Sequence, residues 1–197
     1  MPEGVRERII KSAIELFAGK GFHETKVDEI AERSGVAKGT IYLYFSSKED
    51  LLVNSIDYIV EKAIQNYEID ESKSFRENLA DIIRKNANFM FENLNFYKMM
   101  FMSMYRVRNG DDFNKRRRDT ARVTDRIRLL LQKGIEEGEV RRDMSLDNLS
   151  TIITNLILSS LMHILVKIVF DGMDSREEIE NFLEDTHSFI ISAVRGG

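Results

Sequence analysis

Basic, aromatic and hydroxyl side chains cluster between residues 25 and 48, and they are of the types that bind nucleic acid. Lys38 and Tyr42 are one helical turn apart, so a helix would place them on one face. Ile41 and Phe45 have the same spacing and fall on a different face. The apolar pair can hold a short helix on a hydrophobic core while the polar pair contacts phosphate oxygens or base edges. The spacing therefore predicts a helix with one face free for DNA.

Lys48 stands in the first turn of the next predicted helix, where a cation opposes the helix macrodipole. The arrangement becomes favourable when a phosphate occupies the helix N-terminus, because backbone N–H groups and the ammonium then bind it together. Thr25 and Lys26, at the start of an earlier helix, can hold a second phosphate in the same way. The alternative is a solvated surface lysine at residue 48, at a cost of about 0.3–1 kcal/mol.

Two short helices must position these residues. The first is predicted to begin at Thr25 and to end at Gly35, and the second to span about Lys38 to Phe45. Two short helices joined by a tight turn form a helix-turn-helix, in which the second helix enters the major groove. Gly39 would remove a side chain where the backbone comes close to the duplex. Such pairs also occur as ordinary packing units, so this pattern alone leaves both interpretations open.

A longer pattern around these helices resembles the DNA-binding signature of the tetracycline-repressor (TetR) family of bacterial regulators. The matching residues are Gly21-Phe22, Thr25, Val27, Ile30-Ala31, Gly35-Val36, Lys38-Gly39-Thr40, Tyr42, Tyr44-Phe45, Lys48-Glu49 and Leu51. Farther along, Gly134-Ile135, Gly138 and Arg142-Asp143 are similar to the family's turn between its seventh and eighth helices. The N-terminal match covers about fifty residues, which makes it far more specific than a generic helix-turn-helix.

The resemblance implies a homodimer that binds double-stranded DNA at a palindromic operator, usually as a ligand-responsive repressor. The residues that it assigns to phosphate contacts are Thr25, Lys26, Tyr42, Tyr44 and Lys48. Those that it brings close to the bases are Lys38, Gly39 and Thr40. The chain departs from the family pattern at Ala37, where serine often caps the recognition helix; losing such a cap costs roughly 0.5–2 kcal/mol. It also has Lys26 where threonine is frequent.

The rest of the chain shows helical periodicity between helix start and stop signals, and no segment shows sustained strand alternation. We therefore expect an all-α fold with about nine helices. Residues 1–46 would form a three-helix helix-turn-helix domain. Residues 47–197 would form a larger C-terminal helical bundle for ligand binding and dimerisation.

Aromatic and methionine side chains are concentrated between residues 89 and 105. Methionine adapts to irregular apolar surfaces, and pockets between the helices of a bundle are mostly apolar. Such residues at helical spacing are more often plain core, so the expectation of a pocket rests mainly on the resemblance. The expected effector is a hydrophobic small molecule, either neutral or cationic, or a lipid-like molecule. Its predicted contacts are Tyr58, Phe89, Phe101, Met102 and Tyr105.

The last two predicted helices are the candidates for a dimer interface. The helix from Leu146 to Phe170 is apolar over most of its circumference, so one face can serve its own core and another a second copy. The polar stripe that interrupts it comprises Asn155, Ser159, His163 and Lys167. Lipid would penalise this stripe, which argues against a membrane span; the alternative to a dimer is that both helices are intramolecular core. The predicted interface residues are Leu156, Ser160, Ile164, Phe182 and Phe189.

The composition narrows the remaining classes of function. The chain has 197 residues, a net charge of −4, three histidines and no cysteine, so neither a disulfide framework nor a thiolate or histidine metal site is expected. The first fifty residues contain eight basic and nine acidic side chains. The prediction of DNA binding therefore depends on where the basic side chains lie and not on the net charge. We find no catalytic set and no phosphate-cradling glycine loop, so we expect neither an enzyme nor a bound cofactor. A cytoplasmic protein is the simplest interpretation.

Two other functions use the same helix-turn-helix. A structural DNA-associated protein would bind DNA without responding to a ligand, and a protein-binding module would lack salt-dependent operator binding. For the regulator, the hypothesis is that a ligand in the larger domain shifts the helix from Ser47 to Tyr67. That shift would change the spacing of the two recognition helices, provided that the ligand has different affinities for the two states.

Overall fold

The computed structural model describes residues 4–104, 110–172 and 176–195, and within these ranges the chain is helical with no strand. The described part forms nine helices, which are α1 (Val5–Lys20), α2 (Val27–Ser34), α3 (Lys38–Tyr44), α4 (Lys48–Gln65), α5 (Phe75–Glu92), α6 (Leu94–Met104), α7 (Gly110–Glu136), α8 (Leu146–Phe170) and α9 (Arg176–Val194). The predicted all-α fold is confirmed.

The helices belong to two compact units. The first comprises α1, α2, α3, α4 as far as Lys62, and α6; the second comprises the end of α4, α5, α7, α8 and α9. The predicted boundary after residue 46 stays a prediction; the first unit also includes most of α4, and α6, which packs against α1.

The core of the first unit follows from the helical spacing of its apolar residues. Ile9, Ala13 and Phe17 recur every fourth residue along α1 and are completely buried. Ile30 of α2 and Ile41 of α3 are buried in the same unit, which leaves the opposite side of α3 free. The short α3 helix is thus held by its inner face, as the sequence predicted.

The second unit is built around α7, α8, α5 and α9. α8 packs against all three other helices and α5 packs against α7 and α9. By length and composition α8 could cross a membrane, since the mean hydropathy of its most apolar window is 2.0. A third of that window is buried within the chain. In this structure it contributes Ile153, Ile157 and Ile164 to the helical core.

Thr154 carries a fully buried hydroxyl in α8 for which the described residues supply no hydrogen-bond partner. An unpaired buried polar group costs about 1–3 kcal/mol. Because Thr154→Val puts a methyl group in place of the hydroxyl, we expect the free energy of unfolding to rise by about 1 kcal/mol. Chemical denaturation measures this change. Thr186→Val is the matched control, because the buried Thr186 hydroxyl donates to the Phe182 carbonyl at 2.8 Å and its removal should destabilise the fold.

Candidate nucleic-acid interface

Gly35 makes the turn between α2 and α3. Its φ of 66° lies in the left-handed region that favours glycine. The Gly35 N–H donates to the Glu32 carbonyl at 3.2 Å and the Val36 N–H donates to the Ala31 carbonyl at 3.0 Å, which ends α2. The chain then enters α3 through Ala37, which caps it without a side-chain hydrogen bond. The structure therefore contains the predicted helix-turn-helix, and α3 lacks a side-chain cap, as the sequence predicted.

The start of α2 is fixed by a carboxylate. The backbone N–H of Lys26 donates to Glu29 Oε2 at 2.7 Å, and Lys20 Nζ lies 2.5 Å from Glu29 Oε1. The hydrogen bond from Lys20, followed by the one from the Lys26 backbone, holds the pKa of Glu29 below its usual value. Glu29 therefore stays ionised at neutral pH and orders the first turn of α2.

The outer face of α3 consists of residues that the core does not use. Tyr42 and Tyr44 are 48% and 47% exposed, whereas Ile41 and Phe45 are buried. Gly39 lies on the exposed side, and a Cβ placed there would meet no atom within 4 Å. The two-faced helix predicted from the spacing is therefore confirmed by the burial of its side chains.

The basic groups around this face are accessible. Lys26 is exposed, and no ion pair is found for it among the described residues. Lys38 Nζ lies 3.0 Å from Asp28 Oδ2, but both side chains are more than half exposed. Exposed ion pairs contribute little to stability, so this one can open when a phosphate competes for the lysine. Thr40 is half-buried in the first turn of α3.

Two of the predicted phosphate contacts point into the protein. The Thr25 side chain is buried, and its hydroxyl lies 2.8 Å from the Gly21 carbonyl and 3.2 Å from the Leu16 carbonyl. Lys48 Nζ donates to the carbonyls of Phe22, Thr25 and His23. These carbonyls offset the unfavourable position of Lys48 at a helix N-terminus without any phosphate. A phosphate contact by either side chain stays a prediction.

Sequence reasoning missed the contacts that join α4 to α1. Tyr58 was predicted to line a pocket, but its hydroxyl donates to Glu7 Oε1 at 2.8 Å and thereby lowers the pKa of Glu7. Arg6 donates to Asn54 Oδ1 at 2.5 Å and its guanidinium lies 5.5 Å from the ring centre of Phe45. Partners about fifty residues apart leave no signal in a single sequence.

The other predicted pocket residues are divided between the units. Phe101 is half-buried in α6 and Phe89 is half-buried in α5. Tyr105 and the side chain of Met102 lie outside the described part of the chain. A groove of about 810 Å³ lies between α5 and α9, and none of the predicted residues is among those that line it.

Some of the predicted interface residues of α8 and α9 are buried in the single chain, and others keep exposed surface. Ser160 and Ile164 are buried inside the single chain, where Thr186 Oγ1 lies 3.5 Å from Ser160 Oγ, and their place in an interface stays a prediction. Leu156 and Phe182 are half-buried. Phe189 is 62% exposed. Only the last three keep surface that a second copy could cover.

Comparisons with known proteins agree with this geometry. Residues 9–54 match the model of the family described as bacterial regulatory proteins, tetR family. The fatty acid metabolism regulator protein of Bacillus subtilis (strain 168) is 30% identical over 141 residues, which are 70% of this chain and 71% of that protein. The structure is similar to that of the transcriptional regulator FadR from Bacillus subtilis in complex with stearoyl-CoA, with 24% identity, a TM-score of 0.74 and coverage of 95% and 98% of the two chains. SmeT, the repressor of the Stenotrophomonas maltophilia multidrug efflux pump SmeDEF, has a TM-score of 0.71 at 15% identity, over 98% of this chain and 92% of that one.

Proposed function

Since the chain belongs to the TetR family of bacterial regulatory proteins, we propose that it represses transcription as a dimer on a palindromic operator and releases the DNA when an effector binds. It is a DNA-binding transcriptional regulator and not an enzyme. Among the described residues, no group of three or more acidic or histidine side chains could hold a metal ion. The proposal places the protein in the cytoplasm, where the operator DNA is.

The glycine at residue 39 is the observation that best supports DNA binding by α3. Glycine in a helix costs about 0.5–1 kcal/mol relative to alanine. The fold does not require it, because no positive φ occurs at Gly39 and no neighbour would meet a Cβ. Gly39 thus destabilises α3 on its exposed face, beside Tyr42 and Tyr44, without any benefit to the fold. A glycine at this place is expected where the helix backbone must come close to the base edges in the major groove.

Operator selection tests the proposal directly. Purified protein would be used to enrich binding sites from random duplex DNA, and a palindrome is expected. Lys26→Ala should weaken binding to that site and reduce the slope of log affinity against log salt by about 0.9, because one phosphate contact is lost. Lys85→Ala is the matched control, since Lys85 is an exposed lysine of α5 far along the chain from α2 and α3. Failure to enrich any sequence would contradict the proposal.

The effector that we propose is a long-chain acyl-CoA. The family model covers only residues 9–54 and cannot indicate a ligand, but the match to the fatty acid metabolism regulator protein extends over 141 residues and so reaches far beyond the DNA-binding helices. FadR was solved with stearoyl-CoA, which supports the same class of ligand. Such a ligand is amphipathic, which fits the lipid-like molecule expected from the sequence.

We expect stearoyl-CoA to release the protein from its operator, because a ligand that binds the DNA-free state better shifts the population toward it. Fluorescence anisotropy of labelled operator DNA measures the release, with CoA alone as the control for the head group. Tight binding of stearoyl-CoA that leaves operator affinity unchanged would exclude this mechanism. Release by CoA alone would show that the acyl chain is not recognised.

The dimer that we propose uses the outer faces of α8 and α9. Ile152, Met162 and Phe170 of α8 and Phe189 of α9 are large apolar side chains that the single chain leaves exposed. Exposed apolar surface of this kind marks interaction sites. A second copy that contributes the same helices would cover it in a self-complementary four-helix interface.

Replacing Met162 or Phe189 by glutamate is expected to give a monomer in analytical ultracentrifugation. The charge would be buried without a partner in the interface, and a monomer can hold only one half-site. Operator affinity should therefore fall together with dimerisation. Leu129→Glu is the control, because Leu129 is an exposed apolar side chain on α7, outside the proposed interface. A Phe189→Glu protein that stays dimeric would place the interface elsewhere.

A further inference from the structure

A groove between α5 and α9, within the second unit, has no part in the proposed function. Its volume is about 810 Å³, and small-molecule sites in proteins typically enclose about 300–1,000 Å³. At one end of the groove, His187 Nε2 of α9 lies 3.3 Å from the Arg76 carbonyl of α5. The other lining residues of α9 precede His187 and those of α5 follow Arg76, so the two helices run antiparallel. The groove therefore extends from this contact to the last turn of α5, which ends at Glu92.

The floor of the groove is apolar. Ile83 of α5 and Ile179 of α9 are buried in it, and Ala80 and Leu183 are half-buried at its sides. Phe91 adds a half-buried aromatic ring in the last turn of α5. A ligand with an apolar body would cover these side chains and remove apolar surface from water, which favours binding.

The two arginines that line the groove already have carboxylate partners. Arg84 is paired with Asp81, one turn earlier on α5, and Arg176 Nε lies 2.8 Å from Glu180 Oε1. An anionic ligand would have to open one of these pairs, and the released carboxylate would then stand beside it. Coulomb repulsion from that carboxylate opposes an anion, although positive charges line the groove.

Two glutamates that line the groove have no ion-pair partner within residues 4–104, 110–172 and 176–195. Glu92 is the last residue of α5, so its carboxylate adds to the negative end of the helix macrodipole, and no basic residue occupies that turn. Glu184 is one turn from Glu180 on α9, and like charges at this spacing repel each other. A cation in the groove would relieve both unfavourable arrangements without breaking any existing pair.

We propose that the groove between α5 and α9 binds an amphipathic organic cation. The apolar body of the ligand lies on the floor formed by Ile83 and Leu183. Its positively charged end lies at the last turn of α5, where the Glu92 carboxylate, the Phe91 ring and the end of the helix all favour positive charge. The site is separate from that of the proposed acyl-CoA effector, because the phosphates of CoA would meet Glu92 and Glu184. This inference goes beyond the proposed function, and its test needs no DNA.

The groove stays open in the proposed dimer. Leu183 and His187, which line it, are one turn apart on one flank of α9. Phe182 and Phe189, which we assign to the interface, are two turns apart on another flank, and the buried Thr186 lies between the two flanks. A second copy that covers Phe189 therefore leaves the groove accessible to a small molecule.

Isothermal titration calorimetry with three probes of equal chain length tests the proposal on the full chain. Octyltrimethylammonium, octan-1-ol and octyl sulfate, each below its micellar concentration, differ only in the charge of the head group. We expect the cation to bind once per chain and about fivefold more tightly than the alcohol, as for one exposed ion pair. Octyl sulfate should bind most weakly of the three.

Two variants place the cation in the groove. Glu92→Gln should weaken binding of octyltrimethylammonium about fivefold and leave the affinity for octan-1-ol unchanged. Glu177→Gln is the matched control, because Glu177 is an exposed glutamate of α9 that does not line the groove. Leu183→Lys puts an ammonium inside the groove and should weaken binding of the cation at least tenfold, with folding checked by circular dichroism. If Leu183→Lys does not fold, Glu92→Gln still decides the question.

Three results would overturn the proposal. They are equal affinities for the cation and the alcohol, tighter binding of octyl sulfate, and an unchanged affinity of Glu92→Gln for the cation. Competitive displacement of octyltrimethylammonium by stearoyl-CoA would also overturn it, since the cation would then occupy the effector pocket. If the wild-type protein selects no operator, the proposed function fails, and that outcome is distinct from all of these.

Discussion

Replacing Gly39 by alanine is expected to abolish specific operator binding while the protein stays folded and becomes slightly more stable. The affinity for the operator should fall by about 10³-fold or more, toward the level of non-specific DNA binding. The free energy of unfolding should rise by about 0.5–1 kcal/mol, because alanine is the better helix former. The substitution is thus expected to lower operator affinity and to raise the free energy of unfolding.

The opposite signs follow from the surroundings of Gly39. Within the protein, a Cβ at this position meets nothing within 4 Å, so the fold gains helix propensity without a clash. On DNA, the same methyl group would occupy the space through which α3 approaches the bases. Only a partner that comes close to the backbone can make this substitution harmful.

Anisotropy titrations on the selected operator and chemical denaturation measure the two effects. Gly19→Ala is the matched control, since Gly19 lies in α1, also has open space around its Cα and has no positive φ. It should raise stability without changing DNA affinity. If Gly39→Ala binds the operator as well as the wild-type protein does, α3 does not approach the bases at this residue.

The recognition helix was predictable because its determinants are local. Ile41 and Phe45 are spaced for one buried face, and Gly35 supplies the left-handed turn before α3. Helix periodicity and glycine turns depend on neighbours within four residues. A single sequence carries that information completely, so fold class and the exposed face of α3 could both be derived from it.

The hydrogen bonds of Thr25 and Lys48 inside the protein were not predictable, because their partners are backbone carbonyls. Every residue type presents the same carbonyl, so no side-chain pattern marks the loop that receives the ammonium. Lys48 binds it across 23 to 26 residues of sequence. A sequence shows a lysine but not its hydrogen-bond partners, so only the structure distinguishes an exposed lysine from one that donates to carbonyls.

The faces of α8 were ambiguous for a different reason. An amphipathic helix shows which side is buried, but α8 is apolar nearly all round. Ile164 and Ile152 are both isoleucine in one helix, yet the first is buried in the chain and the second is exposed. Periodicity could identify α8 as a helix with two apolar faces but could not assign either face to the core or to a partner.

The charges near α3 indicate how the chain can bind DNA despite its net charge of −4. Lys38 pairs with Asp28, and Arg33 pairs with Glu15 at 2.5 Å, both at exposed positions. Such pairs are screened by salt and exchange readily for phosphate. The acidic partners therefore lower the net charge of the surface, but Lys38 and Arg33 can still exchange them for DNA phosphates.

Replacing Gly134 by alanine is expected to have the largest effect on stability. A Cβ at this residue of α7 would lie 2.5 Å from Val140 Cγ2 and 2.8 Å from Phe75 Cγ. Both neighbours are buried, so neither can swing into solvent. Overpacking of this kind costs about 1–3 kcal/mol, and the clash with two rigid neighbours places Gly134→Ala at the upper end of that range even after the gain of about 1 kcal/mol in helix propensity.

Chemical denaturation of Gly134→Ala measures the loss, and Gly19→Ala should move stability in the opposite direction. Val140→Ala in the Gly134→Ala background removes the nearest clashing atom, so it should cost less there than in the wild-type protein. Additive losses would mean that the two side chains do not collide. The Gly134 carbonyl accepts the N–H groups of Glu139 at 2.8 Å and Val140 at 3.1 Å, which folds the chain back over the end of α7. The glycine that resembles the family's turn is thus required because only a residue without a Cβ lets Phe75 and Val140 close over the helix.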